Sequence, residues 1–104
     1  MTALDVITQH RQGLDALCRR FSVRRLRLFG SGASGEFDLA RSDIDLLVDF
    51  AEPVEMNPFR QFIDLKLELE RLLGRDVDLV EEKAVTNPYF RANAEAQAVL
   101  LYAA

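Results

Sequence analysis

The sequence predicts an α+β domain in which a small mixed β-sheet has its helices packed on one face. Two observations favour this class: three short segments have the residue pattern of strands, and segments with helical spacing of apolar residues precede, separate and follow them. The order helix, strand, turn, strand, helix, strand, helix predicts one layer of helices against one sheet. With 104 residues, the chain is expected to form a single domain over residues 1–104.

The first expected element is a helix that runs from Thr2 to about residue 20. Thr2 is placed to cap it, because Asp5 follows three residues later and completes a capping box. The only cysteine, Cys18, falls on the apolar stripe of this helix, so we expect a buried, unreactive thiol and no disulfide within the chain. His10, on the same helix, is expected to be a partly buried or surface residue without a catalytic role.

Two strands are expected on either side of a glycine-rich turn. From Arg24 to Phe29 leucines alternate with arginines, which predicts a strand with one buried face and one solvated face. The segment from Gly30 to Arg41 contains three glycines and predicts a turn that includes one short helical piece at most. The apolar run from Ile44 to Phe50 predicts the second strand.

The second half of the chain predicts two helices and one strand. Asn57 is expected to cap a helix that has Pro58 at its first position and ends at Gly74. Its expected buried face comprises Phe59, Phe62, Ile63, Leu69, Leu72 and Leu73. A short strand is expected over residues 76–80, followed by a last helix over residues 88–100 and a short tail.

Charge and hydropathy limit the classes of partner. The formal net charge of −4 argues against a general nucleic-acid binder, because such binding depends on neutralising phosphates. The one basic concentration is interpreted either as a helix end with a solvated strand face or as a surface for nucleotide phosphates or an acidic partner. It comprises Arg19, Arg20, Arg24, Arg25 and Arg27. Because no apolar leader or stretch of about 18 apolar residues occurs, we expect a cytoplasmic protein without membrane association.

Two aspartates spaced by one residue carry the strongest chemical signal. Asp43 and Asp45 lie at the start of the second strand, where a period of two projects both side chains from the same face. Their mutual repulsion disfavours such a pair unless a cation lies between them. Carboxylate oxygens favour Mg²⁺, which is commonly held by one or two carboxylates together with substrate phosphates. The alternative is that Asp43 is only a turn residue.

The turn before this strand has the features of a phosphate site. Gly30 and Ser31 lie where the first strand passes into a turn or a helix N-terminus, so backbone N–H groups are free and glycine permits close approach. Most Gly-Ser pairs are simply turns. The combination with Asp43 and Asp45 is what favours the binding of phosphate here.

A third carboxylate provides a test of this interpretation. Asp78 is embedded in an apolar strand, and if that strand lies beside the second one, Asp78 reaches the same site as a metal ligand or a general base. Asp76 shares its face but is interpreted as a turn residue. Asp49 shares the parity of Asp45 and is expected to be solvated at the far end of its strand.

Three motifs together resemble the nucleotidyltransferase superfamily related to DNA polymerase β, and most closely its minimal single-domain type, MNT. The motifs are LFGS at residues 28–31, SDIDLLVDF at residues 42–50 and VDLV at residues 77–80, and the resemblance extends over nearly the whole chain. It implies the polymerase-β-like fold and the transfer of AMP from ATP to a hydroxyl acceptor, with pyrophosphate leaving.

The resemblance also implies roles for individual residues. Gly30 and Ser31 would hold the β- and γ-phosphates of ATP, Asp43 and Asp45 would hold Mg²⁺, and Asp78 would complete the metal site and help to deprotonate the acceptor. In the MNT–HEPN pairs, the small transferase is an antitoxin that adds AMP to a tyrosine of its HEPN-domain toxin. A HEPN toxin is therefore the expected partner.

Two departures from the family pattern keep other functions open. Many minimal members have arginines in a Gly-Ser-Arg-x-Arg-Gly pattern, whereas this chain has Gly32 and Ser34 and keeps Gly35. The spacing from the serine to the first aspartate is also one residue longer. The alternatives are an antitoxin that acts by binding alone and the catalytic subunit of an aminoglycoside-type transferase. Tyr89 and Phe90 are candidates for a partner interface, or they pack the last helix on the core.

Overall fold

The protein is described by a computed structural model over residues 2–34, 43–52 and 55–104. In these ranges the α-helices are α1 (Ala3–Gln9), α2 (Arg11–Arg20), α3 (Ser31–Ser34), α4 (Pro58–Leu73) and α5 (Pro88–Gln97), and the strands are β1 (Val23–Phe29), β2 (Ile44–Phe50), β3 (Val77–Glu81) and β4 (Val99–Ala103). The strands form one sheet in the order β3-β2-β1-β4. β2 is parallel to β3, and β1 is antiparallel to both β2 and β4. This mixed sheet confirms the predicted α+β class. The helices do not all lie on one face, however, because Phe90 of α5 packs on Phe29, whose side chain points away from the core cluster of α2 and α4.

One face of the sheet forms the apolar core with the two long helices. Alternate side chains of β1 and β2, including Leu26 and Leu46, are fully buried together with Leu14 of α2 and Leu65 of α4. Cys18 lies in the same cluster, as predicted, and burial raises the pKa of its thiol to about 12. A thiol of this kind is a weak nucleophile at neutral pH, so Cys18 acts as a small apolar residue.

The N-terminal helix is interrupted, which the sequence did not indicate. The capping box is present, since the Asp5 N–H donates to Thr2 Oγ1 at 3.1 Å and the Thr2 N–H donates to Asp5 Oδ2 at 2.8 Å. The helix then ends at His10, whose φ of −116° and ψ of 23° are not helical, and α2 begins one residue later. The expected single helix to residue 20 was wrong, because this break has neither the glycine nor the proline that usually marks one.

Helix α4 matches the prediction at both ends but not along its whole buried face. The Asn57 side chain accepts hydrogen bonds from the N–H groups of Phe59 and Arg60, and Gly74 closes the helix with a φ of 68°. Phe59, however, is 70% exposed, and Gln61 is buried with its amide donating to the Phe21 carbonyl at 2.8 Å. A hydrogen-bond partner distant in sequence therefore determined which residue of the first turn faces the core.

The C-terminal segment forms a strand where the sequence predicted helix and tail. Helix α5 ends at Gln97, and β4 pairs antiparallel with β1, so that Tyr102 lies opposite Leu26. The expected helix to about residue 100 was wrong because pairing with a strand seventy residues earlier overrides local preference. No helix in the described ranges has the length and apolar character needed to cross a membrane.

Candidate active site

The strand register brings two of the predicted aspartates together. Asp45 of β2 and Asp78 of β3 are direct partners in the parallel ladder, so both side chains project from the same face of the sheet. Asp43 lies just before β2. The Ile44 N–H donates to the Asp76 carbonyl at 3.1 Å, and this hydrogen bond joins the starts of β2 and β3. The structure thus places Asp43, Asp45 and Asp78 at one corner of the sheet.

These carboxylates are close enough to affect one another. The pKa of Asp45 is raised above its ordinary value, first by burial and then by the negative charges of Asp78 and Asp43. Asp43 and Asp78 are themselves exposed. In the described ranges no lysine or arginine forms a salt bridge with any of the three. The corner is therefore a concentration of negative charge that a bound cation would relieve.

Gly30 lies directly against the central carboxylate. It has a φ of 67°, and a Cβ atom built on it would lie 2.2 Å from Asp45 Oδ2. Its carbonyl accepts a hydrogen bond from the Ala33 N–H at 3.1 Å, which opens α3. Only glycine satisfies both the backbone conformation and the contact. Gly30 and Asp45 are thus in direct contact, and the role predicted for Gly30 in phosphate binding stays a prediction.

The rest of the glycine-rich turn is described in part. Ser31 begins α3, and its side chain lies outside the described part of the structure, as do residues 35–42 with Gly35. A Cβ atom on Gly32 would lie 3.0 Å from both Ala3 and Leu28, so this position faces the core. A side chain at residue 32 would require Ala3 or Leu28 to shift by a few tenths of an ångström. The position at which the sequence departs from the Gly-Ser-Arg-x-Arg-Gly pattern is therefore closely packed in this chain.

Comparison with known proteins identifies the family of this chain. A family model described as a nucleotidyltransferase domain matches residues 10–101. The protein adenylyltransferase MntA of Thermococcus cleftensis is 40% identical over 80 residues, which are 77% of this chain and 74% of that protein. The chain belongs to the nucleotidyltransferase domain family.

Solved structures show the same fold for this nucleotidyltransferase domain. One, provisionally described as a minimal nucleotidyltransferase, superposes with a TM-score of 0.77 at 37% identity and covers 95% of each chain. Two others are at lower identity and show similarity of fold. A toxin–antitoxin structure with AMP-PNP has a TM-score of 0.70 at 24% identity, covering 90% of this chain and 73% of its own. A complex of tri-AMPylated Shewanella oneidensis HEPN toxin with MNT antitoxin has a TM-score of 0.65 at 21% identity, covering 93% and 72%.

The donor set of this nucleotidyltransferase domain fits a hard divalent cation. Asp43, Asp45 and Asp78 offer carboxylate oxygens only, which is the chemistry Mg²⁺ prefers. In the described ranges no three acidic, histidine or cysteine side chains lie together in a group that could hold a metal ion by themselves. Mg²⁺ commonly takes only one or two carboxylates and completes its shell with water and substrate phosphates, so an open set of this kind suits it.

The face of the sheet that carries Asp45 also carries an ion-pair network, which the sequence did not indicate. Arg27 is 9% exposed and pairs with Glu82 at 2.9 Å, while Arg25 pairs with the other oxygen of Glu82 at 2.8 Å. Glu95 of α5 lies 3.4 Å from Arg27. These residues line a cavity of about 110 Å³ between the sheet and α5. The face of β1 that the alternation predicted to be solvated is thus covered. The local sequence signal for this burial was Arg27 itself, which lies between two buried leucines.

Asp49 also differs from its expected position. It is 2% exposed and pairs with Arg24, although the sequence predicted a solvated residue. Its second carboxylate oxygen, Oδ1, is buried without a hydrogen-bond partner in the described structure. Strand β2 therefore remains buried to its end, and Asp49 belongs to the packing of the sheet and not to the corner of Asp45.

We expect Glu82→Gln to destabilise the fold by about 3 kcal/mol, because removing one partner of a mostly buried ion pair leaves an uncompensated charge. The substitution would leave Arg25 without its carboxylate and Arg27 with only the exposed Glu95. Urea denaturation measures the effect. The matched control is Glu52→Gln, which removes an exposed pair with Lys83 and should change little. Equal effects of the two substitutions would contradict the role assigned to the network.

The raised pKa of Asp45 predicts a dependence of stability on pH. The folded state binds this proton more tightly than the unfolded state, so the free energy of unfolding should fall as the pH rises from the ordinary value of 3.8 through the raised pKa. Urea denaturation in EDTA across this range measures it. Asp45→Asn lacks the titrating group, and its stability should therefore gain on that of the wild type as the pH rises. A constant difference between the two proteins would refute this effect.

Proposed function

We propose that this domain transfers AMP from ATP to a hydroxyl group of a protein partner. The observation that carries the proposal is the corner where Asp45 and Asp78 are ladder partners and Gly30 lies against Asp45. Carboxylates beside a glycine turn suit a nucleoside triphosphate with its metal. The similarity to a named protein adenylyltransferase supports AMP as the transferred group.

In this proposal Asp43, Asp45 and Asp78 hold Mg²⁺, and Gly30 and Ser31 approach the β- and γ-phosphates with their backbone. Bound Mg²⁺ would neutralise charge on the entering and leaving oxygens. Asp78, which is exposed at the edge of the sheet, accepts the proton of the acceptor hydroxyl. The acceptor oxygen forms a bond to the α-phosphorus, the bond from the α-phosphorus to the bridging oxygen breaks, and pyrophosphate leaves.

We propose a tyrosine of a HEPN-domain toxin as the acceptor, which makes this protein the antitoxin of a pair. The support is the structurally similar complex of a tri-AMPylated HEPN toxin with an MNT antitoxin. The open position of Asp43 and Asp78 is compatible with a folded protein as acceptor. We place this reaction in the cytoplasm, where ATP and Mg²⁺ are abundant and a thiol such as Cys18 stays reduced.

A second candidate function is neutralisation of the partner by binding alone. The observation that favours it is the packing of Gly32 against Ala3 and Leu28, which leaves this chain without the first arginine of the family turn. If that arginine is needed for the triphosphate, the site would bind ATP poorly.

Calorimetric titration of ATP into the protein with MgCl₂ tests the nucleotide site. We expect binding that is lost in EDTA and in the double variant Asp43→Asn/Asp45→Asn. The same variant separates the two functions when a partner toxin is co-expressed, because a binding-only antitoxin should still restore growth. Absence of ATP binding to the wild type, together with growth rescue by the double variant, would overturn the transferase proposal.

A further inference from the structure

Tyr89 occupies an unusual position for a large aromatic residue. It is the second residue of α5 and is 86% exposed. The chain has two tyrosines, and the other, Tyr102, is partly buried against the core in β4. Tyr89 therefore contributes little to packing, and its hydroxyl is accessible.

The contacts of the neighbouring residue, Phe90, place Tyr89 beside the face of the sheet that carries Asp45 and Asp78. The ring of Phe90 packs edge-on against that of Phe29, with 5.4 Å between ring centroids. Phe29 is in turn the direct ladder partner of Asp45. The first turn of α5 thus stands on the same face of the sheet as the candidate active site.

The orientation of α5 directs the tyrosine outwards. Phe90 and Ala94, one turn apart, face the sheet, while Tyr89 belongs to the exposed side of the helix. Because the Tyr89 side chain points away from its own sheet, the carboxylate corner that it can reach is that of a second molecule. The exposed Asp43 and Asp78 leave such a site open to a residue at the start of a helix.

We propose that Tyr89 is itself an acceptor of AMP and is modified by the active site of another copy of this chain. The inference rests on the proposed function, since it needs a site that adds AMP to hydroxyl groups. A phenol is suited to this role because it is more acidic than the aliphatic hydroxyls of serine and threonine. Modification at this position converts a neutral aromatic residue into a charged phosphodiester beside the face that a partner would approach.

Transfer of AMP to Tyr89 consumes one ATP and releases one pyrophosphate. The Tyr89 oxygen forms a bond to the α-phosphorus of ATP, the bond between that phosphorus and the bridging oxygen breaks, and pyrophosphate leaves. The phenolic proton passes to Asp78 of the molecule that supplies the site. The product is an adenylyl phosphodiester on Tyr89, and no oxidant or further reactant is needed.

Intact-mass spectrometry after incubation with ATP and MgCl₂ tests the inference. We expect the wild type and Tyr102→Phe to gain the mass of one adenylyl group, and Tyr89→Phe to gain none. Tyr102→Phe is the matched control, because it removes the other hydroxyl of the same type. Peptide mapping should place the group on the peptide that contains Tyr89.

A mixing experiment tests transfer between molecules. A tagged Asp45→Asn protein retains Tyr89 without the central carboxylate, and Tyr89→Phe retains the site without the acceptor. After mixing with ATP and MgCl₂, only the tagged chain should carry AMP. Labelling of wild-type protein that does not depend on protein concentration, combined with no labelling in the mixture, would overturn the transfer between copies.

The remaining outcomes separate this inference from the proposed function. If ATP binds in the calorimetric titration and Tyr89 stays unmodified, the inference fails while the proposed function stands. If AMP appears on another residue and persists in Tyr89→Phe, the assignment of Tyr89 is wrong. If ATP does not bind and the double variant Asp43→Asn/Asp45→Asn still restores growth, both fail together.

Discussion

Asp45→Asn is expected to reduce AMP transfer by about 10³-fold or more, because a carboxylate that holds the metal stabilises the transition state by several kcal/mol. The same substitution should make the protein more stable in EDTA at neutral pH. Burial and the charges of Asp78 and Asp43 oppose ionisation of Asp45, and a neutral amide relieves both. Transfer assays and thermal denaturation measure the two effects.

Opposite signs of the two effects would identify Asp45 as a functional residue that is kept at the expense of stability. Addition of MgCl₂ should make the wild type more stable than Asp45→Asn, since a ligand at 100 times its dissociation constant stabilises a protein by about 2.7 kcal/mol. The variant should show no such gain. Asp64→Asn is the control, since it removes a carboxylate on α4 that forms an exposed pair with Arg60. A variant less stable than wild type in EDTA would contradict the electrostatic argument.

Gly30→Ala is expected to abolish ATP binding, whereas Gly74→Ala should leave it intact. Both glycines have nearly the same positive φ, 67° and 68°, so each substitution carries a backbone cost of about 1–2 kcal/mol. They differ in their surroundings. The added methyl at Gly30 would lie 2.2 Å from Asp45 Oδ2, whereas a methyl at Gly74 would meet no side chain of the described residues within 4 Å.

The comparison isolates the contact from the backbone strain. Denaturation should show that Gly74→Ala loses stability, and calorimetry should show that it still binds ATP. Gly30→Ala must displace the Asp45 carboxylate to accommodate the methyl group. If Gly30→Ala binds ATP as well as Gly74→Ala does, the contact has no role in the site.

Local sequence patterns were sufficient where the cause is local. Alternation defined β1, an apolar run defined β2, and Asn57 with Gly74 defined the ends of α4. The prediction failed where the deciding partner is distant in sequence. β4 is a strand because β1 offers it an edge, and Arg27 is buried because Glu82 supplies its counter-charge.

The same distinction between local causes and distant partners applies to the candidate site. The spacing of Asp43 and Asp45 and the parity of Asp78 could be predicted, because a strand has a fixed period of two. The side of the sheet that α5 covers could not be predicted, since the contact between Phe29 and Phe90 joins residues that are distant in sequence. The assignment of roles to Asp43, Asp45, Asp78, Gly30 and Ser31 stays a proposal that the substitutions above test.

The exposed corner at the edge strand has an evolutionary consequence. Because Asp78 lies on the edge strand β3 and Asp43 precedes β2, both carboxylates face any surface that docks at this corner. Under the proposed function, substitutions in the docking residues would redirect such a domain to a new target while its chemistry stayed the same. A lineage of such domains would then diversify its targets through changes at the surface alone, and each new pair would inherit an unchanged reaction.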